Sequence, residues 1–214
     1  MKKLLLTALI AGMSATPALA ETYVSGSVGL GLLNNSETTV SGLAGGVTLP
    51  PTKINDAVKY KTGIPFGVAA GVKSDVYRIE GAVGYQSYSI DEFFGVSLTD
   101  SNASILSFMV NGYRDFAIKD SSIAPYVMAG AGIARIKPTD MDAKTGFAWQ
   151  VGAGLGIKTS EHVTVDLGYR YFRTAKYTVD GYNGQVPDLG TVVLNPMDFD
   201  VSGSNFLVGI RYGF

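Results

Sequence analysis

Seven charged side chains fall in segments where every second residue is otherwise glycine or a small polar group: Lys73, Arg78, Glu80, Lys158, Asp166, Arg170 and Arg211. On a solvated surface such a set needs no explanation. Enclosed away from bulk water it has to pair, because an isolated buried charge is costly. Asp166 and Arg170 share one face of an extended strand but sit ~13 Å apart at strand rise, so their partners must come from other strands. The chemistry is then that of a polar plug that holds strands in register, or of a gated path for ions.

Other reactive groups are few. His162 is the only histidine and there is no cysteine, which leaves too few ligands for a zinc centre. Gly152-x-Gly154-x-Gly156 has the look of a nucleotide loop, but it lies in strict period two and lacks the strand-turn-helix setting. Asp198 and Asp200, with nearby Ser and Asn, suit weak Ca²⁺ binding, although an acidic solvated loop is the simpler reading. Asn34-Asn-Ser36 and Asn102-Ala-Ser104 match a glycosylation pattern that is frequent by chance. We expect no metal and no cofactor. A net charge of −1 also argues against nucleic acid, which demands a basic surface.

Which elements could position the seven charges? Lys2 and Lys3, the apolar run Leu4 to Gly12, and Pro17-Ala-Leu-Ala20 have the form of a secretory signal peptide, with cleavage expected after Ala20. Residues 21–214 are expected to form a single domain. From Glu21 onward no uncharged stretch is long enough to cross a bilayer as a helix, and the dominant period is two, the mark of strands with distinct faces. Phe206, Val208, Ile210, Tyr212 and Phe214 oppose Asn205, Leu207, Gly209, Arg211 and Gly213. Similar segments begin near Val24, Ile64, Tyr77, Phe147 and Val163. Ser104 to Asp115 turns Phe108 and Val110 away from Met109, Asn111 and Tyr113. Tyr126 to Lys137 is too rich in Ala and Gly for its facing to be assigned. The count is eight strands.

Short connections (Lys73 to Asp75, Ala117 to Ile123, Thr159 to His162) alternate with longer ones (Leu33 to Gly63, Asp91 to Asn102, Pro138 to Gly146, Ala175 to Gly203). That asymmetry fits an up-and-down antiparallel barrel with short periplasmic turns and long extracellular loops. Side-chain size decides which face is inside. An eight-stranded barrel has room only for the side chains that fill it, so the glycine-rich face turns inward and the Val, Leu, Ile and Phe face turns to lipid. The 27 glycines, well above the ~7% of ordinary proteins, find their use there. Tyr77, Tyr126, Tyr212 and Phe214 at one end, with Tyr85, Phe147, Trp149, Tyr169 and Tyr171 at the other, are expected to form two interfacial belts. The sequence thus predicts an all-β, eight-stranded transmembrane barrel in the outer membrane of a Gram-negative bacterium.

The terminal strand Phe-Leu-Val-Gly-Ile-Arg-Tyr-Gly-Phe214, with the signal peptide and eight strands, resembles the small outer-membrane β-barrel superfamily. That group includes the opacity-like surface proteins and the membrane domain of outer membrane protein A. Ser107-Phe-Met-Val-Asn-Gly-Tyr-Arg-Asp-Phe116 and Ala124-Pro-Tyr-Val-Met-Ala-Gly-Ala-Gly-Ile133 are similar to a segment of the opacity-like branch, except that Arg114 stands where a second aromatic is usual. The resemblance implies that Ile210, Tyr212 and Phe214 form the signal read by the barrel-assembly machinery, and that lipopolysaccharide and other outer-membrane lipids are neighbours. The reading that follows is a structural or adhesive surface protein, not an enzyme. Residues 33–63 (Lys53, Lys59, Lys61) and 175–203 (Asp180, Asp188, Asp198, Asp200) are candidate contact surfaces for a host or cell-surface ligand. Tyr177, Tyr182, Leu189, Val192, Val193, Leu194 and Phe199 are expected as exposed apolar surface in the second. The alternatives are a small-solute or ion channel and, less favoured, a lipid A-modifying enzyme, which would need its histidine near the outer leaflet. His162 is expected at the periplasmic end.

Overall fold

The computed structural model describes residues 20–93, 96–97, 102–139, 142–186 and 190–214. The expected signal peptide lies outside them, apart from Ala20. The first strand begins at Glu21, the residue after the expected cleavage point. In chain order the strands are β1 (Glu21–Leu33), β2 (Ser36–Ala44), β3 (Val47–Tyr60), β4 (Ile64–Ser74), β5 (Tyr77–Phe93), β6 (Val96–Ser97), β7 (Asn102–Asp115) and β8 (Ile123–Pro138). They continue as β9 (Lys144–Lys158), β10 (Val163–Thr174), β11 (Tyr177–Val179), β12 (Tyr182–Val186), β13 (Gly190–Leu194), β14 (Met197–Phe199) and β15 (Ser202–Gly213).

Eight of these close on themselves. β1 pairs with β4, then β5, β7, β8, β9, β10 and β15 follow, every pairing antiparallel, and β15 returns to β1. Closure leaves the barrel without an edge, so its backbone groups bond internally, as lipid requires. No helix is long and apolar enough to cross a membrane; the crossing is made by strands.

Alternation places the large apolar groups outside. Val28, Leu30, Phe66, Val68, Ile79, Phe108, Val110, Phe206, Val208 and Ile210 are all half or more exposed on the outer wall. In water such a wall would aggregate; in lipid it is the solvated surface. The facing of β8 also emerges. Val127 and Ile133 point out, whereas Tyr126, Met128, Ala134 and Ile136 are buried inside. Tyr126 therefore leaves the expected belt, with its ring 5.7 Å from that of Tyr113 in the lumen. The glycines opposite make the space: a Cβ on Gly154 or Gly168 would strike the Tyr126 phenol, and one on Gly71 would strike Tyr23 and Glu80.

The short connections gather at one end. Asp75 (φ 52°) and Asp120 (φ 57°) take the left-handed conformation there, which Asp tolerates better than most residues. At the other end the chain does not dissolve into loops. β2 and β3 form a hairpin closed by Gly45 and Gly46, with φ of 56° and 79°. That pair of left-handed residues is what a two-residue hairpin turn of matching twist needs. β13 pairs with β2, β12 with β13, and β3 with the upper end of β5. A four-stranded fin, in the order β12-β13-β2-β3, therefore rises from the barrel wall. β6 pairs with the end of β5, and β11 with β14.

Candidate functional site: a divided lumen beneath a loop-built fin

The half of the lumen nearest the short turns is a polar network. Arg78 on β5 grips Asp115 at the end of β7 through Nη2 (2.8 Å) and Nε (3.0 and 3.1 Å), and is only 3% exposed. Its guanidinium also lies over the Tyr113 ring at 4.2 Å and near Tyr126 at 5.0 Å. Glu80, two residues along β5, accepts three hydrogen bonds: Tyr113 Oη at 2.6 Å, Asn111 Nδ2 at 3.0 Å and Tyr23 Oη at 3.0 Å. Gln150 on β9 donates to Asn111 Oδ1 at 2.6 Å, tying the amide in place. Across the barrel Arg211 on β15 holds Asp166 on β10 at 3.0 and 3.2 Å. Among the described residues no buried side-chain N or O lacks a partner.

Four of the seven charges expected inside the barrel belong to this network: Arg78, Glu80, Asp166 and Arg211. Arg170 lines the same cavity, half-buried, with no hydrogen bond or ion pair among the described residues. Lys73 and Lys158 stand apart. Each sits at the short-turn end of its strand, half-buried and exposed respectively, and neither makes an ion pair among the described residues. At the rim a long cation reaches water, so no lumen partner is needed. Asp115 was not among the expected charges, because it closes a strand at the Asp-Phe motif. Its signal was its parity with Asn111 and Tyr113. With it the interior balances Arg78, Arg170 and Arg211 against Glu80, Asp115 and Asp166. The cavity between them has a volume of about 90 Å³, enough for waters and far below the ~300 Å³ at which small-molecule pockets begin.

The outer half is different. Tyr88, Ile105, Met109, Ala134, Ile136, Ala148, Phe172 and Val201 pack there into an apolar cluster, against which Leu33, Tyr60 and Tyr177 rest. Tyr88, Ile105 and Phe172 are at most 2% exposed. Burial pushes the Tyr177 phenol up from its ordinary value, since the ionised form loses its water. Tyr88 bridges the halves: its ring belongs to the apolar cluster, while its hydroxyl donates to Gln86 Oε1 at 2.7 Å. Gln86 in turn accepts from Asn205 Nδ2 at 3.3 Å.

The loops are engaged with each other. Asn195 donates to Ser41 through backbone (2.9 Å) and side chain (3.0 Å), and Thr38 Oγ1 donates to the Asp198 carbonyl at 3.2 Å. Lys59 pairs with Glu92 at 2.7 Å and Lys61 with Asp91 at 3.0 Å, both on β5. Asp200 accepts from Arg173 at 2.9 Å, and Asp198 from Thr178 at 2.8 Å, so both carboxylates are already occupied. Two apolar residues expected on the surface, Val192 and Phe199, are buried, whereas Tyr182 is 49% exposed. Asp188 and Leu189 fall outside the described residues. His162 lies at the short-turn end, exposed, with Nδ1 3.1 Å from the Gly213 carbonyl and its ring stacked on Tyr212. Ile210 and Tyr212 on β15, and Phe214 one residue beyond it, stand in a row on the outer wall.

A closed eight-stranded barrel with an apolar outer wall, a filled interior and long loops at one end is an integral outer-membrane protein. The chain belongs to the outer membrane protein beta-barrel domain family, whose model matches residues 5–214. It is located in the bacterial outer membrane. Outer membrane protein PagN of Salmonella typhimurium strain LT2 is 28% identical over 121 residues, 50% of this chain and 49% of that protein. The chain thus matches over about half the length of this curated relative. Neisserial surface protein A is similar in structure at 19% identity and a TM-score of 0.49, with 91% of this chain and 99% of that one covered. Ail, the attachment invasion locus protein of Yersinia pestis, solved in complex with the heparin analogue sucrose octasulfate, is 14% identical. Its TM-score is 0.35, over 87% of this chain and 99% of that one.

Proposed function

We propose that this protein acts through its fin, as a non-enzymatic surface protein that contacts a host or cell-surface ligand with residues 33–63 and 175–203. One observation carries the reading: the lumen is filled while the loops are built. The apolar cluster occupies the outer half of the barrel, which leaves a solute no wetted route and disfavours the channel. Meanwhile β12, β13, β2 and β3 form an ordered sheet beyond the wall, with Val47 at its tip 66% exposed and Tyr182 at its edge 49% exposed. Loops on a rigid scaffold are the usual seat of recognition.

The polar network supports stability and register through the Arg78–Asp115 and Arg211–Asp166 pairs and the hydrogen-bonded Glu80 inside the barrel. His162, bound to a backbone carbonyl and a tyrosine ring at the end away from the loops, has the surroundings of a turn residue and not of a proton shuttle. Residues 1–20 serve as the export signal, cleaved after Ala20, and the row Ile210, Tyr212 and Phe214 as the recognition element for the barrel-assembly machinery. Lipopolysaccharide and phospholipids surround the wall.

The test is adhesion. Bacteria displaying the full chain are compared with bacteria displaying a variant in which Tyr182 to Leu194 is replaced by a short turn, on cultured cell monolayers and on each other. Loss of adherence at equal surface level supports the reading; equal adherence sinks it.

A further inference from the structure

Arg114 is a charge on the wrong face. It lies on β7 level with Tyr77 on β5 and Val127 on β8, both exposed on the outer wall, and is itself exposed. Its guanidinium carbon is 5.8 Å from the Tyr77 ring centroid and 5.5 Å from that of Phe116. Among the described residues it makes no ion pair and no hydrogen bond to a carboxylate; the adjacent Asp115 turns inward to Arg78. A bare cation on a lipid-facing wall is disfavoured at mid-depth and tolerated only near an interface.

Position along the wall settles the depth. The next outward charge on β8 beyond Val127 is Arg135, and Val127, Ala129, Ala131 and Ile133 line the interval. From Val127 to Arg135 the strand runs ~26 Å, or ~20 Å across the bilayer at a tilt of about 40°. Long side chains reaching away from the centre extend that to the ~25 Å of an outer-membrane apolar band. Arg114 therefore stands at the boundary on the short-turn side, where the inner leaflet's headgroups begin.

We propose that Arg114, flanked by Tyr77 and Phe116, is a binding site for the phosphodiester of an inner-leaflet glycerophospholipid. A guanidinium offers a planar fork of donors suited to two phosphate oxygens. The two aromatic faces steady it electrostatically and sit where rings favour the boundary between headgroup and acyl chain. The wall beside it, Val110 and Val127, accepts the acyl chains.

Native mass spectrometry of the full chain in a neutral sugar detergent, titrated with phosphatidylglycerol, tests this. Wild type is expected to retain one more lipid than Arg114→Gln, whose apparent affinity falls about tenfold, the worth of one charge-assisted contact. Arg114→Lys should regain part of it. Arg114→Tyr places a residue already used at this rim by Tyr77 and Tyr212; it keeps the comparison open should the Gln variant fail to fold, and it too should lose the lipid. Equal retention by wild type, Gln and Tyr variants overturns the site. Displacement of the lipid by an equimolar amount of inorganic phosphate overturns the phospholipid as its source.

Discussion

The two halves of the lumen solve one packing problem by opposite means. Near the short turns, charge and hydroxyl are matched atom for atom around Arg78, Glu80 and Asp166. Near the loops, Tyr88, Ile105 and Phe172 fill the same cross-section with apolar bulk. The polar half specifies: every charged group there except Arg170 has a defined partner, and a slipped strand would leave several unpaired. The apolar half seals, because close packing excludes water without demanding a particular partner. A narrow barrel that only needed filling could have used either. This one uses specificity at the turn end, where hairpins set the register, and sealing beneath the fin.

The sharpest way to break this division is to unpair the polar half. Asp115→Ala leaves Arg78 buried without its carboxylate and is expected to cost about 3–5 kcal/mol, read as a lower urea midpoint for loss of the compact band on unheated gels. Arg78→Met with Asp115→Leu makes that half resemble the other and should recover most of the loss; failure to recover would mean that the pair adds stability beyond its neutral replacement. Phe172→Ala attacks the seal. We expect about 3 kcal/mol of destabilisation and, in planar bilayers, current through the variant where the wild type is silent; steady conductance from wild type would refute the seal. Gly154→Ala, meeting the Leu167 carbonyl oxygen and the Tyr126 phenol, should cost about 1–3 kcal/mol by overpacking, whereas Gly81→Ala, with open space around it, should leave the midpoint in place. A small effect is expected of Lys59→Ala on the fin, whose pair with Glu92 is partly exposed and contributes under about 1 kcal/mol.

The same division explains what could be read from the sequence. Alternation announces a face only where the two faces differ. Phe206 to Phe214 opposite Asn205 to Gly213 is legible because one row meets lipid and the other meets the polar half. In the outer half both faces are apolar, and Tyr171 followed by Phe172, or Ile105 followed by Leu106, erases the period. Along β8 the abundance of Ala and Gly removes the contrast altogether, so Tyr126 reads as a belt residue although it fills the lumen. Asp115 was hidden by lying at a strand end, where a charge reads as solvated. Residues 33–63 read as a loop; the Gly45-Gly46 pair carries the signal of a hairpin turn there, but Pro50-Pro51 and bulges near Thr38 and Gly42 interrupt the alternation that would have disclosed the strands of the fin.

The ladder from β13 to β2 has a consequence in time. Ser41 on β2 and Asn195, one residue past the end of β13, are bonded to each other although 154 residues apart in the chain, and we expect β2 and β13 to become neighbours only when β15 meets β1. Contacts of such separation form late, because the long loop must be closed before they return anything. The β2–β3 hairpin is local in the chain, yet the partner on its other edge, β13, comes from far along the sequence. An antibody whose footprint spans Ser41 and Asn195 would therefore ignore unfinished chains, and its binding would report, molecule by molecule, that a barrel had closed.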